Sequence, residues 1–240
     1  MKKATVLLIF VFGFFNNLAS LSAEFYWNIG AGLNITNEAN YGIDTYEYYG
    51  DVPPYYTQKV KWDTGSGGYF FAHIGIGDLK YIFIETGLDI FIHNSFSRNL
   101  SYLRFTSKTY TAINYSSIDI PIIINMPLPF TDNFIIKPNI GFYMSFPVGE
   151  LNVKGDFTGY ADPDSHYDET FFVETTCSTG IQFGLKFEFY LSDENKIILG
   201  INYKRDFIPI RGHNIISDFT NTLSVTRQAI PIFVGFERIF

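Results

Sequence analysis

The sequence predicts an all-β fold, an eight-stranded antiparallel up-and-down transmembrane β-barrel with its apolar face turned outward. Three observations carry this expectation. Segment after segment alternates apolar and polar residues at period 2, the mark of a strand with two unlike faces. The connections between segments alternate short and long without exception, which gathers every long connection at one end. The 240-residue chain is also rich in aromatic residues (19%) and poor in charged ones (17%), where about a quarter is usual.

The elements follow in chain order. Met1-Lys2-Lys3, an apolar run from Ala4 to Phe15 and the small and polar residues through Leu21-Ser22-Ala23 describe a secretory signal peptide over 1–23. Cleavage after Ala23 would leave a barrel domain over 24–240. Glu24 follows and no cysteine is near, which argues against a lipoprotein anchor. Beyond the signal no apolar run reaches the length of a membrane-spanning helix.

The first strand is expected over Phe25 to Ile35, with Phe25, Trp27, Ile29, Ala31, Leu33 and Ile35 on one face. The second covers about Gly67 to Gly77 and the third Tyr81 to His93, where Ile82, Ile84, Leu88, Ile90 and Ile92 oppose Glu85 and Asp89. The fourth, Tyr115 to Met126, sets five apolar residues from Ile118 to Met126 against Ser117, Asp119 and Asn125. The fifth covers Phe134 to Phe146. The sixth and seventh form a hairpin from near Val173 to Phe207 around Ser192-Asp193-Glu194-Asn195, and the eighth extends from about Ser224 to the terminus. Ten strands are the alternative, with an extra hairpin from Tyr55 to Trp62.

Which face meets lipid is decided by charge. An open polar group in hydrocarbon costs several kcal/mol, and the apolar faces carry no charge through their central portions. The strand charges Glu85, Asp89, Asp119, Lys137, Lys186, Glu188, Lys204, Asp206 and Glu237 all fall on the opposite parity. An eight-stranded bore is only wide enough to be filled by side chains, so these nine are expected to form a lumen polar network. Lysines on the fifth, sixth and seventh strands would bridge acids on their neighbours. Glycines of the same parity, such as Gly30, Gly75 and Gly200, leave room for bulky Tyr and Phe. Aromatic residues gather near both strand ends, as interfacial girdles do.

The run Ser117-Ile118-Asp119-Ile120-Pro121-Ile122-Ile123-Ile124 resembles the strand with an Ile-Pro step found in the small, porin-like bacterial outer-membrane β-barrel family. Lys137-Pro138-Asn139-Ile140-Gly141-Phe142 is similar to that family's next strand, and Gly235 to Phe240 to its closing strand. The ending also resembles the outer-membrane assembly signal: a terminal Phe240 with Phe236, Val234 and Ile232 at alternate positions upstream. Arg238 stands where that pattern often has an aromatic residue. The resemblance implies an OmpA/OmpX-type barrel, reached by signal-peptide export to the outer membrane of a diderm bacterium. It implies outer-membrane lipid and the barrel assembly machinery as partners, and no catalytic residue.

Other motifs weigh little. The histidines have no metal spacing, and no cofactor or metal is expected. His93 and Ser95 suggest a lipid hydrolase at the rim only weakly. Asp162-Pro163-Asp164-Ser165-His166-Tyr167-Asp168-Glu169 lacks the Gly and Glu of a calcium loop and is expected to be a solvated tip. Lone Cys177 forms no internal disulfide, and a net charge of -7 argues against nucleic acid. The tyrosine-rich stretch Tyr41 to Tyr56 has a composition suited to adhesive contact. The function expected is therefore that of a monomeric, non-enzymatic barrel with a structural or adhesin-like role, contacting host or surface ligands through long loops. A narrow ion or small-solute channel is the alternative, and a rim enzyme acting on lipid the third reading.

Overall fold

A computed structural model describes residues 24–36, 42–44, 65–78, 82–102, 107–158, 165–173, 177–216 and 219–240. The expected signal peptide and the Tyr55 to Trp62 hairpin lie outside the described residues. Thirteen strands lie among the described ones: β1 (Glu24–Thr36), β2 (Gly42–Asp44), β3 (Gly65–Asp78), β4 (Ile82–Tyr102), β5 (Ser107–Asn125), β6 (Leu128–Thr131), β7 (Phe134–Thr158), β8 (Ser165–Val173), β9 (Ser178–Tyr190), β10 (Asn195–Asp206), β11 (Ile210–Ile216), β12 (Phe219–Val225) and β13 (Gln228–Ile239).

Eight of them close a ring. Pairing proceeds antiparallel from β1 through β3, β4, β5, β7, β9, β10 and β13 back to β1. Ring order follows chain order, so the barrel is up-and-down and eight-stranded. The closing seam is β1 against β13, with Gly30 opposite Gly235 and Leu33 opposite Ile232.

The faces divide as the alternation predicts. Ile29, Leu33, Ile74, Ile122, Phe142, Phe183, Leu199 and Val234 are exposed on the outside. Tyr26, Tyr69, Phe71, Phe83, Phe91 and Phe233 are buried inside. Large inward rings fit because glycines lie beneath them: a Cβ on Gly75 would strike the Tyr26 ring, and one on Gly200 the Phe233 ring. Tyr69, Phe71, Phe91 and Phe233 form one packed aromatic layer, with Phe71 and Phe233 edge to face at 4.9 Å.

The strands outrun the expected bounds. The β4–β5 ladder continues from Phe83 opposite Asn125 to Tyr102 opposite Ser107, about 65 Å along the strands. A membrane crossing needs only about 9–11 residues, and much of this ladder lies beyond the exposed apolar band of β4 and β5, which ends near Ile92. There neither parity is uniformly apolar (Arg98 shares that of Phe96, Leu100 and Tyr102), while backbone pairing goes on. Two strands are instead shorter than expected, because the chain before them pairs elsewhere: the sixth begins at Ser178 rather than near Val173, and the eighth at Gln228 rather than Ser224. Residues 165–173 are β8 and 219–225 are β12. The expected acidic tip is corrected likewise: Glu169 and Asp168 pair in register with Val153 and Lys154 of β7. Asp162, Pro163 and Asp164 lie outside the described residues.

Three irregularities fall near the upper edge of the exposed apolar band. They are a register shift after Phe91 in β4 with His93 at φ 55°, one between Asn114 and Ser116 in β5, and Gly149 at φ 82° in β7. Bulges bend a strand and increase its twist. Above this level β7 exchanges its partner β9 for β8, and the wall continues through β11 and β12 to β2.

A candidate functional site: the ion-pair ladder in the bore

Alternation places one side chain in every two on the lumen side, and closure of the ring removes those side chains from solvent. All nine charged residues expected on this face are buried: Glu85, Asp89, Asp119, Lys137, Lys186, Glu188, Lys204, Asp206 and Glu237. Three further groups join them. His73 on β3, Lys196 on β10 and Arg227, just before β13, are equally buried. Their inward parity was readable in the sequence, since Lys196 precedes outward Ile197 and Arg227 keeps the phase of Ala229 and Phe233. Arg227 and Lys196 lie at strand ends, where boundaries are hardest to place.

At the short-turn end, Lys137, Glu188, Lys196 and Glu237 form a closed ring of pairs. Lys137 contacts Glu188 and lies 3.4 Å from Glu237, while Lys196 lies 3.0 Å from Glu188 and 3.1 Å from Glu237. These residues come from β7, β9, β10 and β13, and the partners sit on adjacent strands or diagonally between them, except for Lys137–Glu237.

Higher up, the lysine pairs and Arg227–Asp119 cross the bore, and pairs between neighbouring strands join them. Lys186 on β9 reaches Glu85 on β4 at 2.5 and 2.7 Å, where Tyr26 also donates at 2.8 Å. Lys204 on β10 reaches Asp89 on β4 at 2.6 Å and Asp119 on β5 at 2.8 Å. Arg227 reaches Asp119 at 2.8 Å and Asp206 at 3.3 Å, and donates to Ser117 at 2.8 Å. Tyr69 donates to Asp89 at 2.7 Å and Tyr143 to Asp206 at 2.6 Å. His73 joins two levels, with Nδ1 2.6 Å from Glu85 and Nε2 2.8 Å from Asp89.

The lysines therefore do not bridge mainly to neighbouring strands. In register, Lys137 stands opposite Lys186 and Asp89 opposite Asp119. Like charges facing each other across a strand pair destabilise it, and the relief comes from the other side of the barrel. Acids concentrate on β4 and β5 and bases on β9 and β10, so the two halves attract through the bore. Six carboxylates meet five permanent cations among the described buried residues. Only an imidazole protonated on both nitrogens donates to both of its carboxylates, and with His73 in that form the positive and negative groups are equal in number. Aromatic faces add to the cations' environment: Lys204 and Arg227 lie 4.8 and 4.6 Å from the centre of the Phe91 ring.

The other expected residues are placed as follows. Ile232, Val234, Phe236 and Phe240 share the outer side of the closing strand and its end, and the Phe240 N–H donates to the Phe25 carbonyl at 2.9 Å. His93 is exposed at the bulge, and its N–H donates to Ser116 Oγ at 3.4 Å. The side chain of Ser95 lies outside the described residues. Cys177 is half-buried before β9, with its thiol against the Ser178 carbonyl. Among the described residues no group of three or more His, Cys, Asp or Glu is placed to hold a metal ion.

The same barrel recurs among solved structures. The outer membrane protein OprG from Pseudomonas aeruginosa matches at 12% identity over 88% of this chain and 95% of its own, with a TM-score of 0.53. The likeness is one of fold. A major outer membrane protein from Thermus thermophilus matches at 10% identity over 91% of this chain and 100% of its own, with a TM-score of 0.47. The outer membrane protease OmpT from Escherichia coli matches at 10% identity over 90% and 97%, also with a TM-score of 0.47. No protein-family model and no curated protein sequence matches the chain.

Proposed function

We propose that the protein is an integral outer-membrane barrel with a plugged bore, acting structurally and by surface contact through the wall that rises beyond the lipid band. The observation that carries this reading is the ladder itself: charged and aromatic side chains fill the bore from the Lys196 level to the Arg227 level. Ions would have to break several buried pairs to pass, and each broken pair leaves an uncompensated charge costing about 3–5 kcal/mol. The apolar outer band supports residence in lipid, and the fold shared with OprG supports the outer membrane as its place. The long β4–β5 and β7–β8 walls and the β11–β12 hairpin supply the contact surface. A role without catalysis is favoured because the bore's carboxylates are held by cations and hydrogen-bond donors rather than opened to a cleft.

Planar-bilayer recording of the refolded barrel tests this directly. The expected trace is free of stepwise conductance, and regular steps in the wild type would establish the channel reading instead.

A further inference from the structure

The outer wall carries a feature that neither the plugged bore nor the rising wall uses. A shallow apolar depression of about 570 Å³ lies in the lipid-facing surface across β13, β1, β3 and β4, with Ala31 and Ala72 at its floor and Phe70, Leu88, Ile90 and Phe236 around it. Below it on the same outward row of β13 stands Arg238, about half exposed, with Nη2 3.5 Å from Glu194 in the β9–β10 turn. Trp27 lies beside Arg238: it pairs in register with it, and its ring is 5.8 Å from Phe236. Four residues separate Arg238 from Val234 at the depression, about 13 Å along the strand. With the tilt of a membrane strand this is about 10 Å of depth.

We propose that this row is a binding site for one phospholipid with a zwitterionic headgroup carrying a primary ammonium beside its phosphate. The inference rests on the membrane reading above. Arg238 takes the phosphate, Glu194 takes the ammonium, the Trp27 indole sits at the interface, and an acyl chain lies over Ala31 and Ala72. The charge arrangement selects the class. An exposed Arg–Glu pair gains little from itself, but it presents a cation and an anion side by side, the complement of a phosphate and its ammonium. An anionic headgroup would gain Arg238 and meet Glu194 as a repulsion. The small floor residues admit a chain that bulky outward side chains such as Phe142, Phe183 and Leu199 elsewhere on the wall would hold off.

The test is native mass spectrometry of the refolded protein released from micelles titrated with phosphatidylethanolamine or phosphatidylglycerol of identical acyl chains. Wild type should keep one phosphatidylethanolamine in preference to phosphatidylglycerol, and Arg238→Gln should lower that adduct about tenfold, the scale of one lost charge-assisted contact. Glu194→Gln should erase the preference between the two lipids. Ala72→Phe should reduce retention of both while the heat-dependent gel shift of the folded barrel persists. Equal retention of the two lipids by wild type, or an unchanged adduct in Arg238→Gln, overturns the site. A protein that shows no heat-dependent shift and stays out of micelles overturns the membrane reading on which the site depends.

Discussion

The two ends of the bore use the same chemistry in different geometries. At the short-turn end, Lys137, Glu188, Lys196 and Glu237 pair chiefly between strands that are already hydrogen-bonded neighbours. Around Glu85, Asp89 and Asp119 the pairs instead span the barrel, joining β4 and β5 to β9, β10 and Arg227. A lateral pair adds to a contact the backbone makes anyway. A pair across the bore couples strands with no backbone contact, and it offsets the like-charge facing of Asp89 with Asp119 and of Lys137 with Lys186. Redundancy differs as well: the lower ring keeps one lysine between its two acids if the other is lost, while without Lys204 no cation joins Asp89 to Asp119, and each keeps only its separate partner, His73 or Arg227.

Substitutions should separate the two regions. The largest effect is expected for Lys204→Met, which leaves Asp89 facing Asp119 with no cation between them, one held only by His73 and the other only by Arg227. Urea unfolding followed by Trp fluorescence should show a loss of about 3–5 kcal/mol, and adding Asp119→Asn should recover part of it. An equal loss in single and double variants would show that the pair is not coupled.

Leu199→Arg puts a charge on the lipid side of the strand that carries Lys204, at an exposed outward position. Refolding into bilayers rather than micelles should weaken by roughly 2–4 kcal/mol, as for basic residues near the midplane of other barrels. An unaffected variant would mean that this face does not meet hydrocarbon. Lys196→Met, in the lower ring, should cost less than Lys204→Met, roughly 1–3 kcal/mol, because Lys137 still holds Glu188 and Glu237. Should Lys196→Met prove the more damaging, the contrast between lateral and cross-bore pairing fails. Ala72→Phe, on the outer side of the wall away from the bore's charges, should leave the unfolding free energy within about 0.5 kcal/mol of wild type.

Legibility in the sequence tracked the strictness of the local physical demand. Inside the lipid band each strand must keep one face free of charge, so the parity of Glu85 or Lys186 is written into its own neighbours. Above the band that demand is relaxed: residues 165–173 and 210–216 mix polar and apolar residues on both parities, while 219–225 alternates (Phe219, Leu223 and Val225 against Thr220, Thr222 and Ser224) with nothing to mark it as a strand outside the ring. Arg227 illustrates the intermediate case. Its phase matches Phe233, yet it sits in the two-residue step between β12 and β13, where no single-strand pattern announces a buried guanidinium.

By itself the sequence determined the outward apolar face and the inward parity of the charges, because period-2 alternation is a property of one strand and its solvent; eight ring strands rather than ten came from the closure of β1 on β13. Tertiary structure alone decided which acid meets which base. Partners such as Lys204 and Asp89 are 115 residues apart and share no strand pairing. Their meeting depends on the register and curvature of the whole closed ring, which no single strand encodes.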